Sequence, residues 1–306
     1  MAKIILQHIK GNSYFFSGRL SIGAYINNGV VVLIDSGIDR ESAKAVDKAI
    51  REAGYTVGAI INTHHHPDHC GGNAYFQQQY PGCRVYATHF ESLFIGTPYL
   101  QPVCFCGGAM PFTGIRNKFL EAAEASVVTD VITAYQDQTI NIYGSDFSII
   151  TLPGHTHGSI GVISTDSVFY TGDSFFGEET FNKHGALYYT NITDTLLSFD
   201  KLATLTPDAT VFYHGGELQG PIPPVIQQHQ KRILDTMDDV LRLIREVPTG
   251  LAIDQLTQKI MQTYEIPANH VSWMLTRTNV NAMLAHLENT KQLTMKTDGA
   301  LLRVVI

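Results

Sequence analysis

Thr63-His64-His65-His66-Pro67-Asp68-His69-Cys70-Gly71-Gly72 is the stretch that decides how this chain is read. The run before it, Val57 to Asn62, is apolar and β-branched and predicts a buried strand. The pattern His-x-His-x-Asp-His therefore falls where a strand stops and a loop opens. Gly71-Gly72 is expected to let the backbone turn into the next helix. Neutral imidazole suits Zn, Fe, Ni and Cu, and a carboxylate adds charge and oxygen coordination. His64 and His66 are two apart, so they point the same way in an extended segment. Pro67 stiffens the turn, and Asp68 and His69 then face a second position nearby. One loop can thus offer two ligands to one metal and two to its neighbour.

Three later contexts repeat this design. The strand predicted over Ile149 to Leu152 is followed by Pro153-Gly154-His155-Thr156. Val168 to Tyr170 is followed by Thr171-Gly172-Asp173-Ser174, and Thr210 to Tyr213 by His214-Gly215-Gly216. Each places a ligand-capable residue at the end of a strand beside glycine. Taken singly, a His or Asp after a strand is an ordinary turn residue. Together with the first loop these residues form a set of seven.

With that set the chain resembles the metallo-β-lactamase superfamily, and within it the hydrolases with the glyoxalase II type of ligand set. The resemblance covers roughly residues 1–220 and includes Val31-Val32-Leu33-Ile34-Asp35-Ser36-Gly37, an early strand ending in Asp-x-Gly. It implies an αββα sandwich with metals at one edge between two sheets. It also implies that His64, His66 and His155 hold a first metal, that Asp68, His69 and His214 hold a second, and that Asp173 bridges both. Asp35 would steady the ligand loop from behind. The implied cofactor is a pair of Zn²⁺ ions, with Fe or Mn as alternatives, sharing a bridging hydroxide that attacks an ester, thioester or lactone. Asp68 and Asp173 would be the catalytic carboxylates. Lys183, ten residues past Asp173, is a candidate for binding an anionic substrate. His157 and Tyr213 depart from the residues common in relatives and would change the cleft wall.

Composition sets the bounds. The chain has 306 residues, 44% of them hydrophobic and 16% charged, which suits a globular α/β protein with a large core. A net charge of −7 argues against a surface built to coat nucleic acid. Met1 to His8 lacks the apolar core of a signal peptide, and no run of about 20 apolar residues predicts a membrane span. The four cysteines (Cys70, Cys83, Cys104, Cys106) show no C-x-x-C spacing and read as reduced thiols of a cytoplasmic protein.

Between His89 and Ala125 the chain shows little regular pattern but many apolar residues, among them Phe90, Phe94, Met110 and Phe112. This stretch, about 90–125, is read as a lid over the metals or as a packing arm or homodimer contact. Gly220-Pro221-Ile222-Pro223-Pro224 marks a boundary between a catalytic domain, 1–222, and a second domain, 223–306. Helices are expected over Val225 to Glu246, Ile253 to Tyr264 and Asn269 to Asn289, then a hairpin turning at Asp298-Gly299. Three helices and a hairpin resemble a winged helix, a module carried by endoribonuclease-like and thioesterase-like groups of the superfamily. From Val225 onward nine Lys or Arg face eight Asp or Glu. Phosphate binding needs converging cations, so this balance favours a small-molecule substrate over nucleic acid. A phosphodiesterase or ribonuclease, and a mononuclear iron enzyme resembling persulfide dioxygenases, remain the alternatives to a thioester or ester hydrolase.

Overall fold

The computed structural model describes residues 4–18, 20–218 and 220–306, so the first three residues of the Met1–His8 start lie outside it. Seven strands form the first sheet in chain order: β1 (Ile5–Lys10), β2 (Ser13–Ser17), β3 (Ile22–Asn27), β4 (Val30–Ile34), β5 (Thr56–Ile61), β6 (Arg84–Thr88) and β7 (Asp130–Ile132). The meander β1 to β4 is antiparallel, and β4 to β7 are parallel. Helix α1 (Arg40–Glu52) links β4 to β5, and α2 (Pro67–Cys70) with α3 (Asn73–Gln79) links β5 to β6. The second sheet contains β8 (Gln138–Ile142), β9 (Ser145–Thr151), β10 (Ile160–Ile163), β11 (Val168–Tyr170), β12 (Ala209–Phe212) and β13 (Gly216–Leu218), in the order β13-β12-β11-β10-β9-β8.

The strands that read as continuous apolar runs are covered on both faces, as such runs require. In β4, Val32 and Ile34 enter the core between the sheets while Val31 and Leu33 face the helices. In β5, Ala59 and Ile61 point inward and Ile60 outward. Opposite them Phe147, Ile149, Val162, Val168 and Tyr170 close the intersheet core from the second sheet. On the outer face of the first sheet, α1 contributes Ala43, Val46 and Ile50, its start capped by Asp39 accepting from Ser42 N. The outer face of the second sheet is covered by α7 (Ile192–Leu202) and α8 (Ile222–Arg245). The result is the four-layered αββα order.

The stretch after His89 is regular in its first half and largely without helix or strand after Phe105. It forms α4 (His89–Gly96), α5 (Leu100–Phe105) and a 3-10 turn at Thr113–Ile115. These helices are short and apolar on several sides, so they carry no period to read. Ile115 and Leu120 are buried against Met274, Val271 and Trp273 of α10 (His270–Asn289), whereas Met110 and Phe112 are exposed. Cys104 is exposed and Cys106 half-buried at the end of α5, while Cys70 and Cys83 are buried.

Helix α8 begins at Ile222, three residues before the expected start. Pro223 and Pro224 lie in its first turn, where the missing N–H groups would have had no helical partner. After α8 come β14 (Leu251–Ala252), α9 (Ile253–Thr263), α10, β15 (Thr294–Asp298) and β16 (Leu301–Val305), with β16 between β14 and β15. The three expected helices and the terminal hairpin are present, and the short strand β14 is added between α8 and α9. The hairpin pairs Asp298 with Leu301, so its loop is Gly299-Ala300, one residue later than expected, with Gly299 at φ +58°. The apolar side of α8 (Ile226, Ile233, Met237) shares one core with Phe169, Phe175 and Phe212 of the second sheet and its loops. Phe169 and Phe199 lie fully inside that core, and truncating either to Ala would cost roughly 3–5 kcal/mol.

Candidate metal centre

All seven candidate donors meet at one edge of the intersheet core, Asp68 and His69 on α2 and the other five in loops that follow strands. His64, His66 and His155 form one group of mutually close donor atoms, and Asp68, His69 and His214 form another. His155 Nε2 lies 2.9 Å from His66 Nδ1. Asp173 sits between the groups. Its Oδ1 is 3.3 Å from His69 Nε2, and its Oδ2 is 3.6 Å from His155 Nε2 and 3.5 Å from His214 Nε2. Asp68 Oδ2 is 3.3 Å from His214 Nε2.

The loop geometry has identifiable causes. Asp35 follows β4 with φ +65°, a left-handed conformation that Asp tolerates better than most residues. It turns its carboxylate toward the ligand loop, where Oδ1 accepts from Thr63 N at 2.8 Å. Oδ2 accepts from Thr63 Oγ1 and from His69 Nδ1, both at 2.8 Å. His69 Nε2 is thereby left as the donor toward the cluster. Gly71 and Gly72 do not serve as flexible turning points, because their φ values are −64° and −87°. They provide space instead: a Cβ on Gly71 would lie 2.2 Å from Ile38 O, and one on Gly72 2.3 Å from Ser36 O. Gly172, at φ +54°, similarly brings the Asp173 loop against Thr63.

Glu91 on α4 was not singled out in the sequence, yet it is fully buried behind the ligand loops. It accepts from His65 N at 2.8 Å, His65 Nδ1, Thr156 Oγ1 at 2.7 Å and Gly158 N at 2.8 Å. One carboxylate thus ties the loop of His64 and His66 to the loop of His155. The available signal was a lone acid within the apolar Phe90-Glu91-Ser92-Leu93-Phe94. Phe94 stacks on His65 with ring centroids 4.1 Å apart, and Phe90 meets His157 at 5.1 Å. The stretch after His89 therefore does reach the edge of the site. Tyr213 stacks on His69 at 3.6 Å and its hydroxyl donates to Asp68 O. Cys70 Sγ donates to His65 O, and burial pushes its thiol pKa upward.

The electrostatics separate the two groups. Burial pushes His64, His66 and His155 below the usual imidazole range, so their rings are neutral at pH 7. Burial acts the same way on His69 and His214, but carboxylates overcome it. Asp173, Asp35 and Asp68 hold His69 well above its ordinary value, and Asp173 with Asp68 raises His214 to about 9. Burial opposes ionisation of Asp68 and Asp173, but His69 and His214 keep both below the ordinary carboxylate value.

His64 Nε2, His69 Nε2 and Asp173 Oδ1 are buried with no hydrogen-bond partner. Orphaned polar atoms of this kind are costly, and three of them converging on one space is what a cation would satisfy. Five imidazoles and two carboxylates fit Zn, Fe or Mn. Lys183 stands apart from the cluster, exposed at the end of α6 (Glu178–Lys183).

Among solved structures, the chain resembles a metallo-beta-lactamase family protein from Thermus thermophilus, with TM-score 0.71, 17% identity and 100% and 99% of the two chains covered. It also resembles a beta-lactamase domain protein from Burkholderia ambifaria, with TM-score 0.75, 16% identity and coverage of 99% and 94%. At such identities the likeness concerns the fold. A hydroxyacylglutathione hydrolase of Photobacterium profundum is 24% identical over 254 residues, 79% of this chain and 85% of that one. Another, from Xanthomonas campestris pv. campestris, is 27% identical over 150 residues, 49% of this chain and only 44% of the relative. Residues 18–214, which contain all seven donors, match the family described as the metallo-beta-lactamase superfamily. The chain belongs to the metallo-beta-lactamase superfamily.

Proposed function

We propose that this protein is a two-zinc hydrolase of a thioester, ester or lactone, acting on a small molecule. The observation that carries the reading is the pair of donor triads with Asp173 between them, its Oδ2 near His155 of one group and His214 of the other and its Oδ1 near His69. His64, His66 and His155 would hold one ion, Asp68, His69 and His214 the other, and Asp173 both. Zinc in such a pair supplies Lewis acidity that activates water near neutral pH and polarises a carbonyl oxygen. The protein's part is positional. Asp35 and Glu91 fix the ligand loop, and Asp68, the more exposed carboxylate, is placed to accept a proton from the attacking water. Phe90, Phe94 and the half-buried Tyr188 provide apolar surface beside the donors that suits an acyl group. The hydroxyacylglutathione hydrolases among the relatives support a thioester in particular.

The test is chelator-sensitive turnover of the full chain on an acyl-glutathione thioester and, in parallel, on a short single-stranded RNA. Thioester cleavage that is lost in Asp173→Ala supports the proposal. RNA cleavage lost in the same variant rejects it. Bound iron with oxygen uptake in place of hydrolysis would reject both hydrolytic readings.

A further inference from the structure

We propose that the C-terminal helices complete the metal centre, with His229 on α8 and Asn279 on α10 acting as positioning residues for Asp173 and His155. The inference rests on the metal-binding reading above and assigns the C-terminal helices a part in it.

The first connection runs through the loop after β11. Phe176, three residues past Asp173, donates its N–H to His229 Nε2 at 3.0 Å. His229 Nδ1 donates to Val225 O at 2.9 Å within its own helix, so the tautomer is set and Nε2 must accept. The ring is 1% exposed and lies among Phe175, Phe176, Phe181 and Phe199. Gly177 N in the same loop donates to His214 O at 3.0 Å. Shifting this loop therefore moves Asp173 and disturbs the carbonyl contact of His214.

The second connection brackets one peptide segment. Asn279 Nδ2 donates to Leu187 O at 2.8 Å, and Asn279 Oδ1 accepts from Tyr189 N at 3.4 Å. The residue held between these contacts is Tyr188, whose carbonyl accepts from His155 Nδ1 at 3.1 Å. That hydrogen bond leaves His155 Nε2 as the donor facing the cluster. Arg232 of α8 adds contacts to His184 O and Gly185 O, so the segment after α6 is fastened from two helices. An apolar core has no need of an imidazole and an amide at these depths, since burying them is costly unless they are paired. Both are paired to the backbone that carries or orients a donor.

The test is zinc affinity of the full chain, measured by competition with a chromogenic chelator, alongside the urea midpoint of the metal-free protein. Asn279→Leu and His229→Phe are each expected to weaken zinc binding roughly 10–100-fold. Leu256→Ala, a fully buried truncation on α9, is expected to lower the urea midpoint without changing zinc affinity. His229→Gln, whose carbonyl can accept the Phe176 N–H, should recover affinity relative to His229→Phe. If Asn279→Leu does not fold, Asn279→Asp, which keeps the acceptor and loses the donor to Leu187, serves the same purpose. Unchanged affinity in the folded variants, or an equal loss in Leu256→Ala, overturns the positioning roles. A parent chain that takes up no zinc overturns the metal-binding reading itself.

Discussion

The two halves of the candidate metal centre are built differently. His64, His66, Asp68 and His69 fall within six residues and are braced by parts of the first sheet and its helices: Asp35 after β4 and Glu91 on α4. His155, Asp173 and His214 lie far apart in sequence and come from three loops of the second sheet; α8 fastens the Asp173 loop directly, and α10 holds the segment that His155 bonds. The first half is a single local structure held by carboxylates. The second is an assembly held over long sequence distances, by His229 and Asn279 together with Arg232 and the shared Glu91. Local failure of either half should therefore have a different signature.

The largest expected effect is at the residue that joins the halves. Asp173→Ala should reduce chelator-sensitive hydrolysis on the order of a thousandfold or more and lower zinc stoichiometry, as measured by turnover and elemental analysis. Retention of two zincs per chain would show that the halves do not depend on this carboxylate.

Acid should weaken the second half through His229. Burial holds the His229 pKa down to about 4, below its unfolded value near 6.5. A depressed imidazole pKa means that the unfolded chain binds the proton more readily, so stability falls as pH drops from 6.5 toward 4. The loss should approach about 3 kcal/mol from this residue alone. Urea midpoints from pH 7 to pH 4 would read it, and the slope should lessen in His229→Gln. Equal slopes in the two proteins would remove His229 from the account.

The first half can be loosened through Asp35. Asp35→Asn keeps an acceptor for Thr63 N but removes the charge beside His69 Nδ1. Zinc affinity should fall about 10–100-fold by chelator competition, and a variant that binds like the parent would make Asp35 only a turn residue. The smallest effect belongs to Lys183. Lys183→Ala should raise KM for an anionic thioester within about fivefold and leave kcat unchanged, as suits an exposed charge. An unchanged KM would release Lys183 from the substrate.

The same division governs what could be read in advance. The candidate donors at 64–69 were legible because their chemistry is concentrated in six residues after a β-branched run. His155, Asp173 and His214 were legible because each follows a short apolar strand and touches glycine. Glu91, His229 and Asn279 were not, because their partners lie 26 to 92 residues away and their roles exist only once the layers are stacked. His229 did leave a trace: it interrupts the apolar stripe of Ile226, Ile233 and Met237, where a histidine needs a partner. The short helices after His89 were obscured for the opposite reason, since residues apolar on several sides show no period. The space-filling role of Gly71 and Gly72 depends on Ser36 and Ile38 arriving from another strand end, which local sequence does not reveal.

The four thiols follow the same layered construction and make it addressable. Burial raises the pKa of Cys70 and lifts Cys83 to about 12, so neither presents a thiolate to solvent near neutral pH. Cys104 is exposed at the end of α5, and Cys106 is half-buried among the residues that pack onto α10. A maleimide dye should therefore label the α5 segment and spare the ligand loop. The native chain thus carries its own attachment point for a fluorophore, placed to watch the seam between the α5 segment and the C-terminal helices during turnover.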